Sequence, residues 1–181
     1  CALPISESLN IVQETALTDL GQYIKNNTSI DEQRLKLWFF SLANAIFALH
    51  TENILHCDIK PSNCLLYEKD IIKISDFSLS VKIYQKDKTY NHPVSSDSYR
   101  APENYKGEEW SYALDIWSLG CTFFEMLTGH KFINVKKDDT CQDVLQALED
   151  WDRYCTGVEC KNTRKVINYD IQKYSEDKNI I

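Results

Sequence analysis

The sequence predicts a mainly α-helical fold with one small β-hairpin, and three observations carry that prediction. Leu35, Trp38, Leu42, Ala45, Ile46 and Leu49 recur every three or four residues, the spacing of one buried helix face. Leu114 to Leu127 is apolar on nearly every side, with Gly129 just past its end, as in a buried central helix closed by a glycine C-cap. Between them, Cys64-Leu65-Leu66-Tyr67 and the alternating Ile71-Ile72-Lys73-Ile74-Ser75 have the pattern of two paired strands.

Taken in order, Cys1 to Glu7 carries no usable pattern, and Leu9-Asn10-Ile11-Val12-Gln13 is a short β-prone run. Leu17, Leu20, Tyr23 and Ile24 fall at helical spacing, and the turn formers Asn26-Asn27-Thr28-Ser29 end that helix. Asp31 is the N-cap expected for the long helix that follows. His50 to Pro61 is expected to be a loop, ahead of the hairpin. Ser78 to Pro102 lacks apolar periodicity and is rich in Lys, Ser, Tyr and Asn, which predicts an exposed loop of a length usually reserved for function. Val144 to Trp151 is amphipathic, and beyond Cys155 the chain is polar and weakly patterned.

Composition bounds the function. The 181 residues are 43% apolar and 26% charged, enough for a sizeable core and unlike a disordered chain. Twenty Lys and Arg against 27 Asp and Glu leave a net charge of −7, which gives no electrostatic footprint for nucleic acid or an anionic membrane. The longest near-apolar run, Leu37 to Leu49, contains Ser41 and Asn44 and is too short to span a bilayer. Seven cysteines, an odd number without regular spacing, imply reduced thiols and an intracellular setting, cytoplasmic or nuclear. Cys141, Cys155, Cys160 and His130 include no Cys-x-x-Cys pair, so a zinc site is not expected. The only methionine is Met126, and the expectation is a piece of a longer protein.

The chemistry concentrates in His56-Cys57-Asp58-Ile59-Lys60-Pro61-Ser62-Asn63, followed across the expected hairpin by Asp76-Phe77-Ser78. Phosphoryl transfer from a nucleotide needs these residue types: carboxylate and amide oxygens for Mg²⁺, a carboxylate near the acceptor hydroxyl, and a cation to offset charge on the moving group. A hairpin between Asn63 and Asp76 would bring the two metal ligands together. Further on stand Arg100-Ala101-Pro102-Glu103 and Asp115-Ile116-Trp117-Ser118-Leu119-Gly120.

These four motifs, in this order, resemble the C-terminal lobe of eukaryotic serine/threonine protein kinases, most closely the cyclin-dependent-kinase-like (CMGC) group. The resemblance covers roughly Leu9 to Gly129. It implies a kinase-like C-terminal lobe with the small hairpin beside its catalytic loop and with the N-terminal β-lobe largely missing. Residues 1–7 stay unassigned, 8–16 would be the last N-lobe strand and hinge, 17–135 the C-lobe core, and 136–181 a divergent tail. It further implies ATP and Mg²⁺ as cofactors, a protein substrate with Ser or Thr as partner, and a possible cyclin-like regulator. Asp58 would orient the substrate hydroxyl and accept its proton, Lys60 would contact the transferring phosphate, and Ser96 would bond both. Asn63 and Asp76 would hold Mg²⁺. Glu14 and Ala16 would offer backbone groups to adenine, Leu65 would lie beneath the ring, and Gln13 would control the back of the pocket. His56, Glu103 and Asp115 would support the site, Asp115 by holding the loop backbone.

Departures from the family pattern shape the remaining expectations. Cys57 stands where many members have an Arg that binds a loop phosphate, and Asn91 where they have the phosphorylated Thr, so a kinase independent of that phosphorylation is expected. Ser78 replaces a glycine, which predicts a modest restriction of backbone freedom. No glycine-rich loop, strand lysine or helix glutamate is present, and no clear arginine partner for Glu103, with Arg153 and Arg164 as candidates. The chain is therefore expected to be a truncated kinase, inactive as given. The alternative is a kinase-derived pseudokinase or binding module without catalysis.

Overall fold

The computed structural model describes residues 12–27, 29–83 and 90–155, the last five of them by backbone alone. Among these the order is β1 (Thr18–Asp19), α1 (Leu20–Asn26), α2 (Glu32–Thr51), β2 (Ile54–Leu55), β3 (Cys64–Leu66), β4 (Ile72–Ile74), β5 (Val81–Lys82), α3 (Pro102–Tyr105), α4 (Ala113–Thr128) and α5 (Cys141–Cys155).

The long helix α2 starts where its cap predicts, with the Asp31 carboxylate accepting the Arg34 N–H at 3.0 Å. It buries Trp38, Leu42 and Ile46 against Leu20 and Ile24 of α1, Leu66 and Ile72 of the hairpin, and Leu119 and Met126 of α4. β3 and β4 pair antiparallel with Cys64 opposite Ile74 and Leu66 opposite Ile72, the hairpin the alternation predicts. The Trp38 indole N–H donates to the Asp70 carbonyl at 2.9 Å and ties the hairpin turn to the helix. α4 ends at Gly129, whose φ of 71° is the left-handed C-cap that glycine adopts without a Cβ penalty. A second apolar cluster joins Leu55, Cys57, Val94, Ala101, Trp110 and Leu114, and a third packs α5 through Val144, Ala147 and Leu148 on Ile133.

Five expectations need correction. Leu17 is not helical: it is 68% exposed, its neighbours Thr18 and Asp19 pair with β3, and α1 begins at Leu20 behind the Asp19 side-chain cap. Helical spacing cannot separate a residue just before a cap from one just inside it. The expected loop His50–Pro61 contains strand β2, which pairs with β5. The Ser78–Pro102 stretch is not simply exposed, since Val94, Ser95, Ser98, Tyr99 and Ala101 are buried. Ser95 and Ser96 find their partners at Cys57 and Asp58, 38 residues away, which composition cannot show. The helix α4 is not buried all round: Ile116 is 54% exposed and Leu127 is 41% exposed. Trp117, expected to be core, packs against the second and third clusters, yet with Phe124 and Phe132 it also lines an open apolar groove of about 630 Å³. Finally, Val12 and Gln13 lie in irregular, exposed chain, while Leu9 to Ile11 lie outside the described residues.

No described helix is long and apolar enough to cross a membrane.

Candidate functional site

The site rests on Asp115, fully buried in the first turn of α4. Its two carboxylate oxygens accept the His56 N–H and the Cys57 N–H, each at 2.9 Å, and the first also lies 2.9 Å from the His50 ring. The two N–H donors meet one oxygen each, so a carboxylate suits the position, whereas an amide would turn its NH₂ on one of them. Cys57 has φ 66°, a left-handed turn that redirects the chain into Asp58.

His56 has no solvent exposure. Its Nδ1 accepts the Asp58 N–H at 3.2 Å and its Nε2 lies 3.0 Å from the Ser75 carbonyl. A carbonyl can only accept, so Nε2 carries the proton and the ring is neutral. Burial pushes its pKa down, which agrees with that form. The ring is a strut between the Asp58 backbone and the end of the hairpin.

Asp58, 5% exposed, gathers the loop's other polar groups. One carboxylate oxygen accepts from the Ser96 N–H at 3.0 Å and its hydroxyl at 2.9 Å, and the other from Asn63 Nδ2 at 3.0 Å. Lys60 Nζ forms an ion pair with that second oxygen at 2.6 Å and donates to Ser96 Oγ at 2.8 Å. Burial alone would raise the Asp58 carboxyl, but the Lys60 and Ser96 bonds outweigh it and hold it below the usual carboxylate range.

Asn63 is buried as the last residue of a one-turn helix that starts at Pro61. Its carbonyl accepts from the Ser75 N–H at 2.8 Å and the Ser75 hydroxyl at 3.0 Å, which sets Asp76, the next residue, beside the loop. The Asn63 NH₂ is committed to Asp58, so the amide contributes its oxygen as the remaining donor atom. Asp76 has φ 61° and is exposed. One of its oxygens accepts the Ser78 hydroxyl at 2.7 Å and the Ser78 N–H at 3.3 Å, and those bonds hold its pKa down. Ser78 itself is absent from the positive-φ residues, so a side chain is accommodated there without left-handed strain.

One amide oxygen and one ionised carboxylate fit a hard cation such as Mg²⁺, which usually takes one or two protein oxygens together with substrate phosphates. No group of three or more His, Cys, Asp and Glu that could cage a metal occurs among the described residues. Of the disfavoured zinc set, Cys141 is an exposed free thiol, and the Cys155 side chain and Cys160 lie outside the described residues.

The remaining expected residues fall around this centre. Ala16 and Leu65 are half-buried and brought close by β1, where the Leu17 N–H donates to the Leu66 carbonyl at 2.8 Å. Glu14 is exposed, its side chain paired with Lys73 and its carbonyl 3.4 Å from the Tyr67 hydroxyl. Glu103 is half-buried on α3, and no ion pair engages it among the described residues. The Arg153 side chain and Arg164 lie outside those residues.

Sequence reasoning missed His50, Asn104 and Trp110, and it gave Arg100, quoted in a motif, no role of its own. Arg100 donates through Nε to the Val94 carbonyl at 2.9 Å and through a terminal nitrogen to the Ser95 carbonyl at 3.0 Å, holding the turn where Ser95 has φ 66°. Asn104 Oδ1 accepts the Val94 N–H at 3.0 Å. For Asn104 the available signal was an amide side chain one residue past a Pro-Glu helix start, close behind a long polar loop.

Comparison with known proteins agrees with this geometry. Residues 4–176 match the protein kinase domain family. Similar proteins include cyclin-dependent kinase 14 of Xenopus tropicalis, 34% identical over 144 residues that make up 78% of this chain and 34% of that protein. Cyclin-dependent kinase 14 of Mus musculus is 35% identical over 144 residues, 78% of this chain and 30% of that protein. The serine/threonine kinase NLK of Caenorhabditis elegans is 37% identical over 123 residues, 67% of this chain and 19% of that protein. The chain thus spans about a third or less of the length of these relatives. With its motifs assembled around Asp58 and the match running over nearly its whole length, the chain belongs to the protein kinase family, on its cyclin-dependent-kinase-like side.

Proposed function

We propose that the chain is the C-terminal lobe of a serine/threonine protein kinase that transfers the terminal phosphate of ATP, with Mg²⁺, to a hydroxyl on a protein substrate. One observation carries the reading: Asp58 is held ionised at the meeting point of Lys60, Ser96 and Asn63. Its carboxylate orients the incoming hydroxyl and accepts its proton. Lys60, anchored to both Asp58 and Ser96, puts a positive charge where the phosphoryl oxygens pass. Mg²⁺ held by Asn63 and Asp76 would supply further positive charge to the nucleotide phosphates. Glu14 and Ala16 offer backbone groups to the adenine, with Leu65 beneath it. Lys60 two residues after Asp58 favours Ser and Thr over Tyr as acceptor, and the relatives' name favours a regulator of cyclin type.

The test is phosphate transfer from radiolabelled ATP to a generic basic protein by the full-length protein, shown by mass spectrometry to be unmodified at Tyr90 and Ser95. Labelled phosphoserine and phosphothreonine are the expected products. Nucleotide or partner binding without transfer would replace this reading with the non-catalytic one.

The Ser78 hydroxyl gives a second expected outcome. Ser78→Gly keeps the N–H bond to Asp76 but removes the 2.7 Å hydroxyl bond that orients the carboxylate. Loss of such an orienting partner raises the metal requirement, here by about tenfold, read from the Mg²⁺ dependence of transfer. An unchanged Mg²⁺ dependence would show the bond to be idle.

A further inference from the structure

We propose that Trp110 is a positioning residue for this site, setting Ser96 against Asp58 and Lys60 through the segment Tyr90–Ser96. The proposal rests on the kinase reading above and extends it to a residue that touches neither nucleotide nor the reacting hydroxyl.

Trp110 is buried and grips one end of the segment from three directions. Its ring stacks on Tyr90 with centroids 5.1 Å apart and planes 28° apart, and meets the His92 ring edge-on at 5.3 Å. Its backbone N–H donates to the Tyr90 carbonyl at 3.1 Å, and its indole N–H to the His92 carbonyl at 3.0 Å. The buried Asn104 completes the grip: its NH₂ donates to the same His92 carbonyl at 3.0 Å while its oxygen accepts the Val94 N–H at 3.0 Å.

From that clamp the order passes to the reacting groups without a gap. Val94 packs in one apolar cluster with Trp110 and Cys57. The Ser95 hydroxyl donates to the Cys57 carbonyl at 2.7 Å, and Ser96 then contributes its N–H and hydroxyl to Asp58. Each contact fixes the residue that makes the next one, so the register set at Tyr90 and His92 decides where the Ser96 hydroxyl lies. Cys57 belongs to the same cluster, with its thiol pushed up to about 12 by burial, so it serves this packing as an inert apolar group. Apolar burial and aromatic contact therefore order the segment.

Hydrogen exchange and kinetics on the full-length protein test the proposal with Trp110→Ala, Trp110→Phe and Asn104→Ala. Trp110→Ala and Asn104→Ala are expected to speed exchange of the Val94 and Ser96 amides by about tenfold or more, with amides of α4 unaltered. They should also lower kcat by about tenfold at unchanged KM for ATP, because the lost interaction acts on transfer and not on nucleotide binding. Trp110→Phe keeps an aromatic ring and the backbone bond but loses the indole N–H bond to His92, and should retain most of the wild-type amide protection and kcat. Should Trp110→Ala unfold the protein, the other two variants decide. Val94 and Ser96 amides that exchange at wild-type rates in Asn104→Ala and Trp110→Ala, or exchange that rises equally throughout α4, would overturn the proposal. Failure of the wild-type protein to transfer phosphate would instead remove the kinase reading, because the exchange pattern does not depend on catalysis.

Discussion

Asp58→Asn in the full-length protein is expected to lower kcat for phosphate transfer by on the order of 10²- to 10⁴-fold, the usual contribution of a positioned proton acceptor. An amide has no basic oxygen for the substrate proton. It also brings an NH₂ group into a pocket already filled with donors, since Ser96 supplies two on one side and Lys60 and Asn63 supply two on the other. KM for ATP should change little, because the proposed adenine contacts, Glu14, Ala16 and Leu65, lie away from this loop. The same network sets a pH dependence. The folded Asp58 carboxyl lies below its ordinary value, so the network stabilises the folded chain above the unfolded carboxyl's pKa and loses that contribution as pH falls through the lower, folded value. The difference in thermal stability between the wild-type protein and Asp58→Asn should therefore persist at neutral pH and shrink below about pH 4. Equal transfer rates in the two proteins would end the assignment of Asp58.

Asp115→Ala is expected to cost about 3–5 kcal/mol of folding stability, the penalty for breaking a buried charged hydrogen-bond network from one side. Alanine would leave the His56 and Cys57 N–H groups buried without acceptors and His50 without its partner. The melting temperature should fall by about 10 °C in calorimetry. Asp115→Asn should recover only part of that loss, because its one oxygen serves one of the two N–H donors. A melting temperature within a degree or so of wild type for Asp115→Ala would mean that water or a shifted backbone satisfies the loop, and the anchoring role would fall.

Much of this site was legible in the sequence because its residue types are scarce and its spacings are set by local structure. Asn63 and Asp76 are joined by a hairpin whose alternation, Ile72 and Ile74 inward and Lys73 outward, is written in adjacent residues. Asp31 announced the helix that leads to the loop, since a cap acts only on the next turn. What stayed hidden depends on contacts between distant positions. His50 and Asp115 lie 65 residues apart, and neither carries a local pattern that names the other. The Ser78–Pro102 stretch looked exposed because it is polar, yet Ser98 is buried, and Val94 and Ser95 are buried among bonds to Cys57, Asn104 and Arg100. Likewise, the apolar circumference of α4 could not tell a covered face from the groove beside Trp117 and Phe124.

Three residues without glycine's freedom turn left-handed around the centre: Cys57 directly before Asp58, Asp76 itself, and Ser95 directly before Ser96. Such conformations cost about 1–3 kcal/mol each, which together is a sizeable share of the net stability of a small domain. The turns survive because Asp115, Arg100 and the apolar clusters overrule local preference. The centre is thus a spring held cocked by its surroundings: relaxing it would stabilise the chain, and under the proposed kinase reading it would also misplace Asp58 and Ser96, so durability and transfer would pull these three positions in opposite directions.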